Sequence, residues 1–262
     1  MIAEASACVG LLSDARYPRL ALQHREEFIS ADPFPHTVID DFLPISVARE
    51  LAEHMPVATD ENYPWVVSKK PDAVKQYIHH EPSMPLPHRQ IFRELNSHQG
   101  LLFFELLTGT ESLLPDPYLV GGGIHISGSG DFLGIHADFN WHHKLLAYRR
   151  INAILYLTEN WDESWGGATE LWSCDGTERR REIPPRFNRL LVFETSENSY
   201  HGHPVPLELP ENVFRRTLNI YYYHRHARTG DPETTEPHWT NYKTDASPFA
   251  ESLLADYGKG VD

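Results

Sequence analysis

Residues 132–138 read FLGIHAD and residues 150–157 read RINAILYL, and both segments have the short, β-branched and aromatic character of β-strands. In a strand, the side chains of residues i and i+2 lie on the same face. His136 and Asp138 therefore share one face of the first segment, whereas Leu133, Ile135 and Ala137 share the other. Each strand has an apolar face that helices can cover and a second face that carries polar groups. We expect the polar face to line an interior pocket, because it carries chemically reactive side chains.

Similar segments continue on both sides of these two, and glycine, proline and asparagine separate them. The repeated short strands are typical of an all-β sandwich or barrel. We therefore predict a mainly β fold with flanking α-helices, built on a double-stranded β-helix (jelly roll) with the N-terminal helices packed on one side. The further segments are YLVGGGIHI (118–126), GATELWS (167–173), RLLVFET (189–195) and RRTLNIYYYH (215–224).

The part of the chain before these strands has a helical pattern. HTVIDDFL (36–43) resembles a strand, Pro44 then opens the helix ISVARELAEHM (45–55), and a second helical stretch spans about residues 86–107. The sequence predicts a single domain over residues 1–262. Its predicted parts are a helical support with one early strand (1–114), the jelly-roll catalytic core (115–226) and a wrapping or lid segment (227–262).

Bulk composition excludes several classes of function. The formal net charge of −14 argues against a nucleic-acid partner. Two cysteines, Cys8 and Cys174, cannot form a disulfide framework, and no apolar stretch is long enough to span a membrane. Because the N-terminus also lacks the basic start of a secretory signal, we expect a cytoplasmic protein. The sequence does not predict an oligomeric state.

Spacing selects a few candidates among the 16 histidines. His136 and Asp138 converge from one strand, and His201, which directly follows the strand RLLVF, supplies a third ligand from a distant part of the chain. Two histidines and one carboxylate on one side of a metal leave the opposite positions open, as a non-haem Fe(II) centre requires. The pair His79 and Glu81 has the same spacing but lies in a proline-rich stretch.

Four longer sequence segments around these residues make the prediction of a metal site more specific. They resemble, in order and roughly in spacing, successive blocks of the 2-oxoglutarate/Fe(II) oxygenase superfamily in its prolyl-4-hydroxylase-like branch. The resemblance covers about residues 115–226 and implies that His136, Asp138 and His201 bind Fe(II), with 2-oxoglutarate and dioxygen as co-substrates. The blocks are DFLGIHADFN (131–140), LYLTENWDESWGGATELW (155–172), FNRLLVFETSENSYHGHPV (187–205) and RRTLNIYYY (215–223).

The resemblance also implies residues that bind 2-oxoglutarate. Arg215 matches the arginine that holds the distal carboxylate, a task for which a guanidinium is suited because it donates two parallel hydrogen bonds. Arg216 is the rival, but strand alternation places Arg215 on the face of Thr217. Tyr156 matches a tyrosine that adds a hydroxyl to the same carboxylate. His125 lies where relatives often carry a tyrosine, so that it either contacts 2-oxoglutarate or substrate or has a structural role.

The reaction implied is hydroxylation of a small amino-acid-like or natural-product substrate, with release of succinate and CO2. Prolyl hydroxylation of a protein or peptide is an alternative, because hydroxylases of small molecules and prolyl hydroxylases of proteins share the same sequence blocks. A halogenase is disfavoured because Asp138 occupies the position that a halide would need.

Two readings without oxygenase activity remain open. An inactive relative of the family would serve as a binding module, although all three ligands and the arginine are present. A cupin-like metal-binding protein is suggested by His201-Gly202-His203 followed by Glu208, but the two prolines between His203 and Glu208 do not fit a central strand. Trp141, His142 and His143 either line the entrance or form a packed turn.

Overall fold

The computed structural model describes residue 8 and residues 10–58, 60–70, 72–227 and 237–243. The helices are α1 (Arg16–Ser30), α2 (Ile45–Glu53), α3 (Leu86–Leu95) and α4 (His98–Thr108), with short 3₁₀ turns at Leu11–Ser13, Glu81–Ser83 and Glu163–Trp165. The strands are β1 (His36–Ile39), β2 (Val66–Lys70), β3 (Ala73–Ile78), β4 (Gly123–Ser127), β5 (Phe132–Ala137), β6 (Trp141–His142), β7 (Ala147–Tyr156), β8 (Thr169–Trp172), β9 (Arg179–Ile183), β10 (Leu190–Glu194), β11 (His201–His203), β12 (Arg215–His224) and β13 (Asn241–Tyr242).

The strands form one antiparallel sheet that curls into a half-barrel. Its main path runs β1-β10-β7-β12-β4-β3-β5-β11-β8-β9, while β2 pairs with β3, β6 with β7 and β13 with β5. Four strands separate β12 from β8 along this path, yet Arg215 of β12 donates a hydrogen bond to Thr169 of β8 over 3.0 Å. The two parts of the sheet therefore face each other, and the predicted jelly roll with helices beside it is confirmed.

Strand β3 connects the two facing parts of the sheet. Val74 pairs with Phe132 of β5, whereas Tyr77 pairs with His125 of β4. The sequence predicts one strand before residue 115, but the structure has three there, because the β2–β3 hairpin joins the main sheet. The prediction missed this hairpin since polar residues lie on both of its faces and only pairing with β4 and β5 stabilises it.

The main hydrophobic core lies between the helices and the outer face of the half-barrel. Leu155 of β7 and Leu218 of β12 are 2% exposed and belong to the same packed cluster as Phe103 and Phe104 of α4. Each such side chain contributes about 1.5–3 kcal/mol of burial free energy. The alternating residues of β7 and β12 face inward, so the apolar and polar faces predicted from the sequence are both present.

The helical stretch predicted over residues 86–107 is two helices. Chain direction changes at Asn96 and Ser97, where the Ser97 hydroxyl accepts a hydrogen bond from the Gly100 amide over 3.2 Å and caps α4. Gly109 ends α4 with a φ of 75°, a left-handed conformation that favours glycine. Ser97 therefore marks the start of a second helix, which the spacing of apolar residues alone did not distinguish from the first.

Within the described residues, no helix is both long and apolar enough to cross a membrane. Most of the segment predicted as a lid (227–262) lies outside the described residues. Its described portion includes β13, where Asn241 pairs with Ala137 of β5. The single-domain organisation stays a prediction.

Candidate metal centre and co-substrate pocket

The side chains of His136, Asp138 and His201, hereafter the triad, meet inside the half-barrel. His136 belongs to β5, Asp138 follows that strand, and β11 pairs with β5 so that His201 lies opposite His136. Nε2 of His136 is 3.6 Å from one Asp138 oxygen, and Nε2 of His201 is 3.5 Å from the other. One ligand atom of each residue lies within 4.8 Å of the other two, and all three residues are buried. This spacing suits coordination of a single ion.

Hydrogen bonds on the far side of each ring orient the two imidazoles. Nδ1 of His136 donates to the Gly134 carbonyl oxygen over 2.8 Å, and Nδ1 of His201 donates to that of Ser199 over 2.9 Å. With the proton on Nδ1, the lone pair of Nε2 is free to bind a metal. Burial, reinforced by His136, lowers the pKa of His201 to about 4, so this imidazole is neutral at pH 7.

A second pair of side chains holds the Asp138 carboxylate. Asn152 donates to the Asp138 Oδ2 atom over 2.7 Å, and the Arg149 guanidinium lies 3.0 Å from the same oxygen. Arg149 also donates to the Asn152 amide oxygen and packs over the Tyr221 ring, 3.4 Å from its centroid. Burial alone would raise the pKa of Asp138, but Arg149 and the triad histidines outweigh it and hold that pKa well below its usual value. The triad therefore offers two imidazoles and one carboxylate.

The alternative pair His79 and Glu81 does not form a comparable cluster. Glu81 accepts a hydrogen bond from Arg89 over 3.2 Å and forms an ion pair with Arg93 over 3.0 Å. In the part of the chain that the structure describes, the triad is the one group of three or more histidine, cysteine or acidic residues spaced to hold a metal.

The cupin-like motif also does not assemble. Glu208 is exposed, and its amide donates to the Trp165 carbonyl oxygen over 3.1 Å. The preceding Leu207 is buried, and its backbone pairs with Gly130 and Asp131. The longer connection between β11 and β12 therefore packs against the β4–β5 turn and leaves Glu208 outside the metal cluster.

Arg215 lines the same cavity as the triad and is buried. Its Nε donates to the Gly167 carbonyl oxygen over 2.8 Å and one terminal nitrogen donates to the Thr169 hydroxyl over 3.0 Å. Tyr156 lies beside it, with its hydroxyl 2.7 Å from that of Thr169. A guanidinium has five N–H donors, so three remain for a carboxylate. Arg216 lies on the other face of β12, beside a separate surface cleft.

Thr217 and His125 also line the cavity. The Thr217 hydroxyl donates to the Asn219 side chain over 2.7 Å. Nε2 of His125 lies 3.1 and 3.2 Å from two backbone carbonyl oxygens just before β4, and its ring stacks on Tyr77 with centroids 5.2 Å apart. These contacts fix the ring of His125, and Nδ1 has no hydrogen bond to any residue that the structure describes.

The cavity lining includes residues that were not predicted as parts of the oxygenase site, Lys75 and His203 among them. Lys75 comes from the β2–β3 hairpin, which the sequence did not indicate as part of the barrel. Nδ1 of His203 is buried without a hydrogen-bond partner among the described residues, and burial, with Arg215 next, lowers the pKa of His203 well below its usual value. An unpartnered polar atom near a guanidinium that keeps unused N–H donors is what a pocket for a polar ligand requires.

Trp141, His142 and His143 form a packed turn rather than part of the cavity lining. His142 is 1% exposed, and its Nδ1 accepts hydrogen bonds from two backbone amides. Trp141 packs edge-on against Tyr148, with ring centroids 4.8 Å apart.

Comparison with known proteins agrees with this geometry. Residues 122–223 match the family model described as the 2OG-Fe(II) oxygenase superfamily. A Pseudomonas putida prolyl-4-hydroxylase structure is 18% identical with a TM-score of 0.57, and the match covers 78% of this chain and 99% of that one. A Trichoplax adhaerens prolyl hydroxylase, solved with a hypoxia-inducible-factor peptide, is 17% identical with a TM-score of 0.56 and coverages of 79% and 90%. HygX from Streptomyces hygroscopicus, solved with nickel and 2-oxoglutarate, is 14% identical with a TM-score of 0.52 and coverages of 84% and 96%.

At these identities the structural neighbours establish the fold, and the family match covers the strands that carry the triad and Arg215. The donor set of two imidazoles and one carboxylate fits Fe(II). Members of the matched family use Fe(II), 2-oxoglutarate and dioxygen. Residues 122–223 therefore match the 2OG-Fe(II) oxygenase superfamily, and the site they form has the donor set of a non-haem iron, 2-oxoglutarate-dependent dioxygenase.

Proposed function

We propose that His136, Asp138 and His201 hold Fe(II) and that Arg215 binds the distal carboxylate of 2-oxoglutarate. The observation that carries this proposal is the convergence of three ligand atoms within 4.8 Å in the same cavity as a buried, partly unpaired guanidinium. When bound, Fe(II) and 2-oxoglutarate together activate dioxygen, and 2-oxoglutarate is converted to succinate and CO2 as the substrate is oxidised.

The residues of the chain prepare the site for this chemistry in three ways. The neutral imidazole of His201 and the ionised Asp138 supply metal ligands without first losing a proton. The hydrogen bonds of Arg215 to Gly167 and Thr169 fix the guanidinium, so little side-chain entropy is lost when a carboxylate binds. Thr217 extends the polar surface around that carboxylate, Tyr156 holds the Thr169 hydroxyl beside it, and burial excludes water from it.

We propose a small amino-acid-like or natural-product substrate and hydroxylation as the outcome. The triad residues are at most 8% exposed, and the Tyr242 ring of β13 lies 5.2 Å from the His136 ring, so the centre is enclosed. The HygX structure holds nickel and 2-oxoglutarate on a similar fold. Asp138 occupies a ligand position that a halide would otherwise need, which favours hydroxylation over halogenation.

A peptide substrate is the second candidate, because the Trichoplax adhaerens neighbour was solved with a peptide. Screening metabolite pools and proline-containing peptides for substrate-dependent succinate formation separates the two. The small-molecule proposal expects stimulation by a metabolite and none by the peptides. Stimulation by peptides alone would contradict it.

The outcome of the reaction is tested with labelled dioxygen in the presence of excess chloride. Hydroxylation predicts one labelled oxygen atom in the product. A chlorinated product would contradict the role of Asp138, and an unlabelled, desaturated product would contradict hydroxylation while leaving the iron chemistry intact.

We also propose a cytoplasmic location. Neither Cys8 nor Cys174 forms a disulfide in the structure, as the reducing cytoplasm allows. Imaging of the chain fused to a fluorescent protein tests the location, and accumulation outside the cytoplasm would contradict it.

A further inference from the structure

Lys75 places an ammonium group in the cavity that contains the triad. It lies on β3 between Val74, which pairs with β5, and Tyr77, which pairs with β4. This is the point where β3 crosses between the two facing parts of the sheet. A cation at this crossing faces the interior of the half-barrel.

Within the part of the chain that the structure describes, no counterion lies close to the Lys75 ammonium. Among the described residues it forms no ion pair or hydrogen bond, and its one close ring contact is Tyr77, with Nζ 5.7 Å from the ring centroid. Burial lowers the pKa of Lys75, and Asp138 partly opposes that effect. Asp138 is already engaged by Asn152 and Arg149. A largely buried charge without a partner is costly, so an anionic ligand would be favoured there.

The position of Lys75 separates it from the expected co-substrate pocket. Strand β4 lies between β3, which carries Lys75, and β12, which carries Arg215, so the two residues are on strands about 10 Å apart. The distal carboxylate of 2-oxoglutarate is assigned to Arg215, and its other end carries the groups that the metal binds. Lys75 is therefore free for a third anionic group.

Charge counting supports a third anion. Three cations of the chain, Lys75, Arg149 and Arg215, would join the two charges of Fe(II) around one cavity. Asp138 and the two carboxylates of 2-oxoglutarate bring three negative charges. Two positive charges remain uncompensated, which favours a negatively charged substrate over a neutral or cationic one.

We propose that Lys75 binds a carboxylate of the substrate and so selects small organic acids, amino acids among them. This inference rests on the proposed function and specifies its substrate class. Lys75 acts here as a specificity residue, because its ammonium would meet the substrate and not the metal.

The test uses protein loaded with Ni(II) and saturated with 2-oxoglutarate, so that binding is measured without turnover. Calorimetry compares acetate and the common amino acids with acetamide and the corresponding primary amides. We expect acids to bind better than their amides, and Lys75→Gln to weaken acid binding at least about tenfold, the loss of one hydrogen bond to a charged group. Lys75→Arg should retain much of the preference. Lys70→Gln, a change of the same type at an exposed neighbour, should retain all of it.

A separate readout tests whether Lys75 is unpaired before ligand binds. Lys75→Met in the metal-free protein should unfold at the same temperature or a higher one, because it removes a buried charge without a partner. A clear destabilisation would show that the ammonium has a structural partner and would overturn the inference.

Three binding results would also overturn the inference. In the first, wild type and Lys75→Gln bind the acids equally well, and in the second, wild type binds no acid better than its amide. In the third, Lys75→Gln loses as much affinity for 2-oxoglutarate as it loses for the acids, which would assign Lys75 to the co-substrate. Failure of 2-oxoglutarate to bind the Ni(II)-loaded wild type would instead refute the proposed function.

Discussion

Asn152→Ala tests how strongly the residues behind the triad control the metal. The substitution removes the 2.7 Å hydrogen bond to Asp138, and it also removes the amide oxygen that accepts a hydrogen bond from Arg149. A hydrogen bond to a charged group contributes about 1.5–3 kcal/mol. At about 1.4 kcal/mol for each factor of ten, this corresponds to a loss of metal affinity of roughly 10- to 150-fold. Residues behind metal ligands typically contribute about 10- to 100-fold, which agrees.

The assay is competition between the protein and a chelator for Fe(II) under anaerobic conditions. Asn219→Ala is the matched control, because Asn219 lines the same cavity and its side chain accepts a hydrogen bond from Thr217. The control should change metal affinity by less than about threefold, within the few tenths of a kcal/mol expected of sites that share no partner. If Asn152→Ala bound metal as tightly as wild type, or if both variants lost affinity equally, the reasoning about Asp138 would be refuted.

Further predictions concern the ligands, the co-substrate and pH. His201→Ala should abolish 2-oxoglutarate turnover and greatly weaken Fe(II) binding, while Glu81→Gln leaves both intact; turnover by the first variant would reject the ligand set. Arg215→Ala should weaken 2-oxoglutarate binding by about 2–5 kcal/mol and Arg216→Ala should do much less, as calorimetry would measure; the reverse order would refute the assignment. Burial lowers the pKa of His88 to about 3, so the unfolded state binds more protons than the folded state below about pH 6.5. Stability of the metal-free protein should therefore fall as pH falls from 6.5 towards 3, and His88→Gln should show a shallower fall in chemical denaturation; an unchanged slope would contradict this cause.

The sequence predicted the parts of the site that obey strand alternation. Side chains alternate between the two faces of a strand, which predicted that His136 and Asp138 share a face and that Arg215 and Arg216 lie on opposite faces. The structure has all four side chains on the predicted faces. Spacing made His201 a candidate for the third ligand, and the family resemblance made that choice specific, since its partner strand is distant in sequence. The roles of these residues in binding stay predictions.

The parts that the sequence did not predict depend on pairing between distant segments. Lys75 enters the cavity only because β3 connects β4 with β5, and its own segment has no clear apolar face. Asn152 was placed on the polar face of its strand, but its hydrogen bond to Asp138 requires the register of two strands that are not paired with each other. The break between α3 and α4 was missed because Ser97 acts as a cap within a continuous apolar pattern.

The central claim is that one ion binds between β5 and β11 while 2-oxoglutarate extends from it towards β12. A crystal structure of the protein soaked with Ni(II) and 2-oxoglutarate tests this claim most directly. We predict a metal coordinated by Nε2 of His136, an oxygen of Asp138 and Nε2 of His201, with the distal carboxylate of 2-oxoglutarate on Arg215. A metal bound by His203 or Glu208 in place of the triad, or a co-substrate carboxylate held away from Arg215, would contradict the account.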